Sequence, residues 1–122
     1  MTTRRTLTIT MSPNWRAALR QAGKAAQADS YQGETLNFES PGAFFGRLTE
    51  RRWVLVTALL GQGAMAVREL ARRSGRDVKR VHEDVQILAE LGLVERDAAG
   101  GVLCPFADVH IDMHVHHKNV AA

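Results

Sequence analysis

The most regular alternation of apolar and polar positions lies in residues 66–93, AVRELARRSGRDVKRVHEDVQILAELGL. Val67, Leu70 and Ala71 stand at i, i+3 and i+4, one face of a helix whose other side carries Arg68, Arg72 and Arg73. Ser74-Gly75 stops that helix, because glycine accepts the left-handed backbone of a helix C-terminus. After Arg76, Asp77 can cap a second helix, its carboxylate accepting backbone N–H bonds at the positive end of the dipole. Val78, Val81, Val85, Leu88 and Leu91 repeat at three- and four-residue steps as the buried stripe, and Gly92 ends the run. Lys79, Arg80, Glu83 and Gln86, with His82 at the border, are left outside near the start of the second helix.

Weaker patterns flank this helix, turn and helix. TLTIT at residues 6–10 is β-branched with Leu7 and Ile9 alternating, which favours a strand. Ser12-Pro13 opens a helix with Trp15, Ala18, Leu19, Ala22 and Ala26 on a narrow apolar face and Arg16, Arg20 and Lys24 outward. Residues 27–34 turn polar, so residues 1–33 form a strand-helix arm with its linker, a region for dimerisation or partner binding, and residues 34–122 form the main body. Within the body, Leu36 and Phe38 mark a brief extended segment. Ser40-Pro41 starts a short helix anchored by Phe44, Phe45 and Leu48, and Thr49 caps another. Trp53, Val56, Leu59 and Leu60 face inward there, Arg51 and Arg52 outward, and Gly61 and Gly63 close it, with Met65 entering the core. Residues 93–106 hold two short apolar runs around a polar, glycine-rich turn, a hairpin signal. VHIDMHV at residues 109–115 is a further strand, with Val109, Ile111, Met113 and Val115 on one face. Each end strand needs a partner, so TLTIT is expected to pair with it, within one chain or between two. The fold class is mainly α with a small β-sheet, α+β.

Length and composition narrow the class. With 122 residues, 45% hydrophobic, the chain is sized for one compact domain with an arm. A net charge of +3 is compatible with nucleic acid without pointing to it, but the basic residues gather between Arg68 and Arg80, where they outnumber Glu69 and Asp77. One cysteine, Cys104, leaves no internal disulfide and fits a reducing cytoplasm. No apolar run approaches the roughly 18 residues of a membrane span, and no signal-peptide core opens the chain, so a cytoplasmic protein is expected.

A second helix with an exposed, mixed-charge N-terminal half suits double-stranded DNA. Such a helix enters the major groove, where Arg or Lys donates to guanine, Gln pairs with adenine and Glu accepts from cytosine, while flanking Arg72 and Arg73 hold phosphates. The hairpin after it stands where a wing would, and Arg96 near its tip can reach a phosphate. Residues 38–115, above all RELARRSGRDVKRVHEDVQILAELGLVERD followed by VHIDMHV, resemble a prokaryotic family of small winged-helix predicted transcriptional regulators related to MarR and ArsR proteins. The resemblance implies a winged helix-turn-helix with DNA contacts from Arg76, Lys79, Arg80, His82, Glu83 and Gln86, and Arg96 in the wing. It also implies an antitoxin role beside a cognate toxin, since family members are often encoded next to one. One departure is visible: Ala66 stands where the first helix of the motif usually starts on serine, and an alanine cap costs about 1 kcal/mol.

Other chemistry is thinner. His110, Asp112, His114, His116 and His117 could be ligands of a metal sensor, but ligands two apart on a flat strand rarely converge on one tetrahedral ion. Cys104 lies among Leu103, Pro105 and Phe106, an apolar setting that raises a thiol pKa and disfavours redox sensing. No phosphate loop, nucleophile elbow or helix-borne pair of metal-binding histidines is present, and Glu83 and Asp84 point apart as neighbours on a helix, so no enzyme, cofactor or metal is expected. The expected function is a homodimeric, sequence-specific DNA-binding regulator, a repressor that as an antitoxin would regulate its own operon. The alternative is a protein-interaction module on the same scaffold with little DNA affinity, for which Glu83, Glu90 and an exposed Ile87 speak.

Overall fold

A computed structural model describes residues 5–12 and 33–114. It is an α+β fold in which, among the described residues, four helices lie with a three-stranded sheet and a small hairpin. The elements are β1 (Thr6–Met11), β2 (Glu34–Phe38), α1 (Pro41–Arg47), α2 (Glu50–Leu59), α3 (Val67–Ser74), α4 (Val78–Leu91), β3 (Glu95–Arg96), β4 (Val102–Leu103) and β5 (Asp108–Asp112). The helix expected from Ser12-Pro13 onward, and Val115, His116 and His117, lie outside the described residues. Among those described, no helix is long and apolar enough to cross a membrane.

TLTIT and the C-terminal strand do pair, within one chain and in parallel: Thr6 lies opposite Asp108, and Ile9 opposite Ile111. On its other side β1 pairs with β2, also in parallel, with Ile9 opposite Leu36 and Met11 opposite Phe38. The order β2-β1-β5 therefore puts the first strand of the chain in the middle. Because paired residues of neighbouring strands point to the same face, Leu7, Ile9, Leu36, Phe38, Val109 and Ile111 share one face, while the β1 threonines, Asn37, His110 and Asp112 share the other. Leu7 and Ile9 are buried in one apolar cluster with Phe38, Phe44 and Leu48 on the sheet side and Leu55, Leu59, Leu70, Val81, Val85 and Leu88 on the helix side. Phe38 and Phe44 meet edge to face at 5.4 Å between ring centroids.

Side chains pin the strand ends. Arg5 donates from Nε (2.9 Å) and Nη2 (2.6 Å) to the Glu34 carboxylate, lies 5.1 Å over the Phe106 ring, and has Glu95 within 3.7 Å. At the far end, Asn37 accepts from the Thr10 hydroxyl and the Ser12 N–H, and its amide donates to the Ser12 carbonyl.

Helix starts follow their expected caps. Ser40 Oγ accepts from the Ala43 N–H, Thr49 Oγ1 from Arg52, and Asp77 Oδ2 from Arg80. Both helices of the central motif end on left-handed glycines, Gly75 (φ 66°) and Gly92 (φ 87°). In each case the following N–H reaches back to the helix, Arg76 to the Ala71 carbonyl and Leu93 to that of Leu88. Three packing expectations are corrected. Val78 is 37% exposed rather than buried, since at the first helical position it stands before α4 meets the core. Phe45 is 58% exposed, because Phe44 and Leu48 alone take the inward side of α1. Leu55, unassigned from the pattern, is fully buried on α2.

Candidate functional site

The exposed half of α4 is built by a division of labour along one helix. Val81, Val85 and Leu88 are wholly buried and fix the helix against α2 and α3. On the opposite side Lys79, His82, Glu83 and Gln86, at i, i+3, i+4 and i+7, make one exposed polar stripe flanked by exposed Arg80. Lys79 and Arg80 form no ion pair among the described residues, so both charges are available to an outside partner. The stripe therefore presents two cationic donors, an amide and a carboxylate within about two helical turns.

The other expected residues are not placed alike. Arg72 and Arg73, at the end of α3, both close on Glu69: Arg72 donates from Nε and Nη2 at 2.7 Å each, and Arg73 from Nε at 2.9 Å. Hydrogen bonds from Arg72 first and Arg73 second lower the Glu69 carboxyl pKa to about 2, so it stays ionised in neutral and mildly acidic solution. One carboxylate thus partly offsets two guanidinium charges. Arg76, a DNA contact by resemblance, does not stand on the exposed stripe. It is turned inward, only 17% of its side chain exposed, with Nη2 2.7 Å from Asp84 Oδ2. Arg52, also expected outside, takes the other oxygen, Nε to Oδ1 at 3.0 Å, and donates to the Arg47 carbonyl. Asp84 therefore ties α2, the turn before α4 and α4 itself together; Glu83, its neighbour, faces outward. Sequence pattern gave no sign of this, because Arg52 lies 32 residues from Asp84.

Arg96 stands exposed on β3, which pairs antiparallel with β4, Arg96 opposite Val102. The connecting turn is closed by Asp97, whose Oδ1 accepts from the Ala99 and Gly101 N–H groups. Met65 adds a third extended segment: its N–H donates to the Val102 carbonyl (2.9 Å) and its carbonyl accepts from the Val102 N–H (2.8 Å). The hairpin is thereby strapped to the residue that leads into α3. At the start of α3, Ala66 has no side chain to cap the helix.

The remaining chemistry is weakly developed. Cys104 is buried, and desolvation pushes its thiol pKa up, the reverse of an activated cysteine. Among the described residues no three His, Cys, Asp or Glu side chains are gathered as metal ligands; His110 and Asp112 alternate along exposed β5. No curated protein and no solved structure matches the chain. The HVO_A0114 family model matches residues 47–111, from the end of α1 to β5 and more than half of the sequence, and the chain belongs to the HVO_A0114 family.

Proposed function

We propose that this protein is a sequence-specific DNA-binding transcriptional regulator of the winged helix-turn-helix type. The observation that carries the reading is the exposed Lys79, His82, Glu83 and Gln86 stripe with Arg80 beside it, on a helix whose opposite face is locked into the core. A helix with polar side chains free on its N-terminal half can enter a major groove and meet base edges there. The β3–β4 hairpin supports the same docking, since Met65 straps it beside α3 and its Arg96 is exposed toward solvent, as a phosphate-contacting wing requires. Two copies on a two-fold axis would set their α4 helices in successive major grooves about 34 Å apart on a roughly palindromic operator. Occupying a promoter in this way represses it, and the sequence resemblance extends the proposal to an antitoxin that binds a toxin protein and its own operon.

A second reading is favoured by one observation: Arg72 and Arg73, candidates for phosphate contacts, are engaged by Glu69. A scaffold whose positive field is offset in this way could serve protein partners and bind DNA little. The test is a titration against duplex from the chain's own upstream region and an unrelated duplex, at several salt concentrations. The regulator reading expects a preference of at least roughly a thousandfold and affinity falling steeply with salt. Replacing Lys79 and Arg80 by Ala should cost about 1–3 kcal/mol for each lost base contact and flatten the salt dependence, with the fold intact. Weak and equal binding of both duplexes at every salt concentration would decide for the interaction scaffold.

A further inference from the structure

We infer that the outer edge of β5 is a self-association surface, joining two copies antiparallel through a register centred on Ile111. The inference rests on the homodimer in the reading above and names its seam. Among the described residues no strand pairs with that edge, so β5 presents unpaired backbone donors and acceptors to any strand that reaches it. Beside it lies exposed apolar surface. Ile111 (37% exposed) lines a groove of about 310 Å³ with Phe44, Phe45, Leu48 and Trp53, and Phe45 is 58% exposed.

Charge complementarity points to a second copy as the occupant, and charge together with apolar matching selects the register. A two-fold axis between antiparallel copies of one strand must pass through a residue paired with itself. Centred on His110, the pairing sets Asp108 against Asp112 twice; centred on Asp112, it sets that carboxylate against its own copy. Both are penalised by like charges directly opposite, as is a centre on Asp108. Centred on Val109, the pairing matches Asp108 with His110 but sets the Asp112 carboxylate opposite buried Phe106 and the exposed Ile111 opposite Ala107. Centred on Ile111, it sets His110 of each copy opposite Asp112 of the other, two opposite-charge or hydrogen-bonded pairs on the polar face. On the apolar face Ile111 meets Ile111, and Val109 meets Met113. The two three-stranded sheets continue into one of six strands, with both grooves on the same face.

The experiment is sedimentation equilibrium of the full chain over a wide concentration range, for the natural sequence, His110→Asp, Asp112→His and the double exchange. His110 and Asp112 are both exposed, so circular dichroism should show the fold unchanged. The natural chain is expected to dimerise. Either single change sets like groups opposite each other twice and should weaken the dimer about tenfold or more, and the double exchange should restore it. A natural chain that stays monomeric throughout overturns the inference, as does a double exchange no tighter than the singles. A dimer that neither single change moves is built elsewhere; that also overturns the seam but leaves operator binding by a dimer standing. A dimer that responds as expected yet shows no preference for its upstream duplex supports the seam and sinks the regulator reading alone.

Discussion

Asp84 carries more of the structure than its place in the sequence reveals. Its side chain is 13% exposed, and it is the shared partner of Arg52 and Arg76, 19% and 17% exposed. Removing an anion from such a cluster leaves two largely desolvated guanidinium groups facing each other. The cost of that exceeds the worth of the pairs themselves. Asp84→Ala is therefore expected to destabilise the fold by about 3 kcal/mol, read as a lowered urea midpoint with an unchanged slope. A change below about 0.5 kcal/mol, the range of an ordinary surface site, would show that water already screens the cluster. Glu83, one residue before it, is exposed and has no such role. Helical periodicity separates these two neighbours in direction, but only the folded chain shows which of them meets Arg52. The same blindness applies to Arg72 and Arg73: their positions on α3 were legible, whereas their closure on Glu69 was a choice among several outward rotamers.

Elements were more legible than contacts, because caps and breakers act within a few residues. Ser40, Thr49 and Asp77 accept the N–H bonds their positions promise, and Gly75 and Gly92 end α3 and α4 in the left-handed conformation. In α4 the sequence pattern misled at the element's end: Val78 has the spacing of the α4 stripe but sits on the first turn, beyond the reach of the core. Helix α3 is the exception among the caps. Its Ala66 already holds the extended backbone of an N-cap (φ −66°, ψ 147°) yet makes no side-chain bond. Ala66→Ser should then fill the vacant acceptor without moving the backbone and stabilise the protein by about 1 kcal/mol. Thermal unfolding checks it. A neutral result would mean that water or the neighbouring hairpin already serves those N–H groups.

At the scale of the molecule, the pairing of β1 with β5 was legible from the two end strands, whereas their parallel direction and the place of β2 on the other side of β1 were hidden. Alternation identifies a strand and its faces, and two unpartnered ends suggest each other, but strand direction and sheet order depend on contacts between residues about a hundred positions apart, such as Thr6 and Asp108. The consequence concerns how the helices are held. Leu7 and Ile9 belong to the same buried cluster as Val81, Val85 and Leu88, so the strand that opens the chain and the helix that exposes Lys79 share one core. Ile9 is fully buried and flanked on both sides by paired strands. Ile9→Ala should cost about 2–5 kcal/mol, from lost transfer energy and the cavity left behind. If the core is one cooperative unit, amide exchange in α4 should accelerate by the same free energy as exchange in β2 and β5. Faster exchange confined to the strands would instead divide the protein into a sheet and a helical unit that open separately. In that case truncating β1 would spare the exposed face of α4, whereas a single unit requires that face to be lost with the strand.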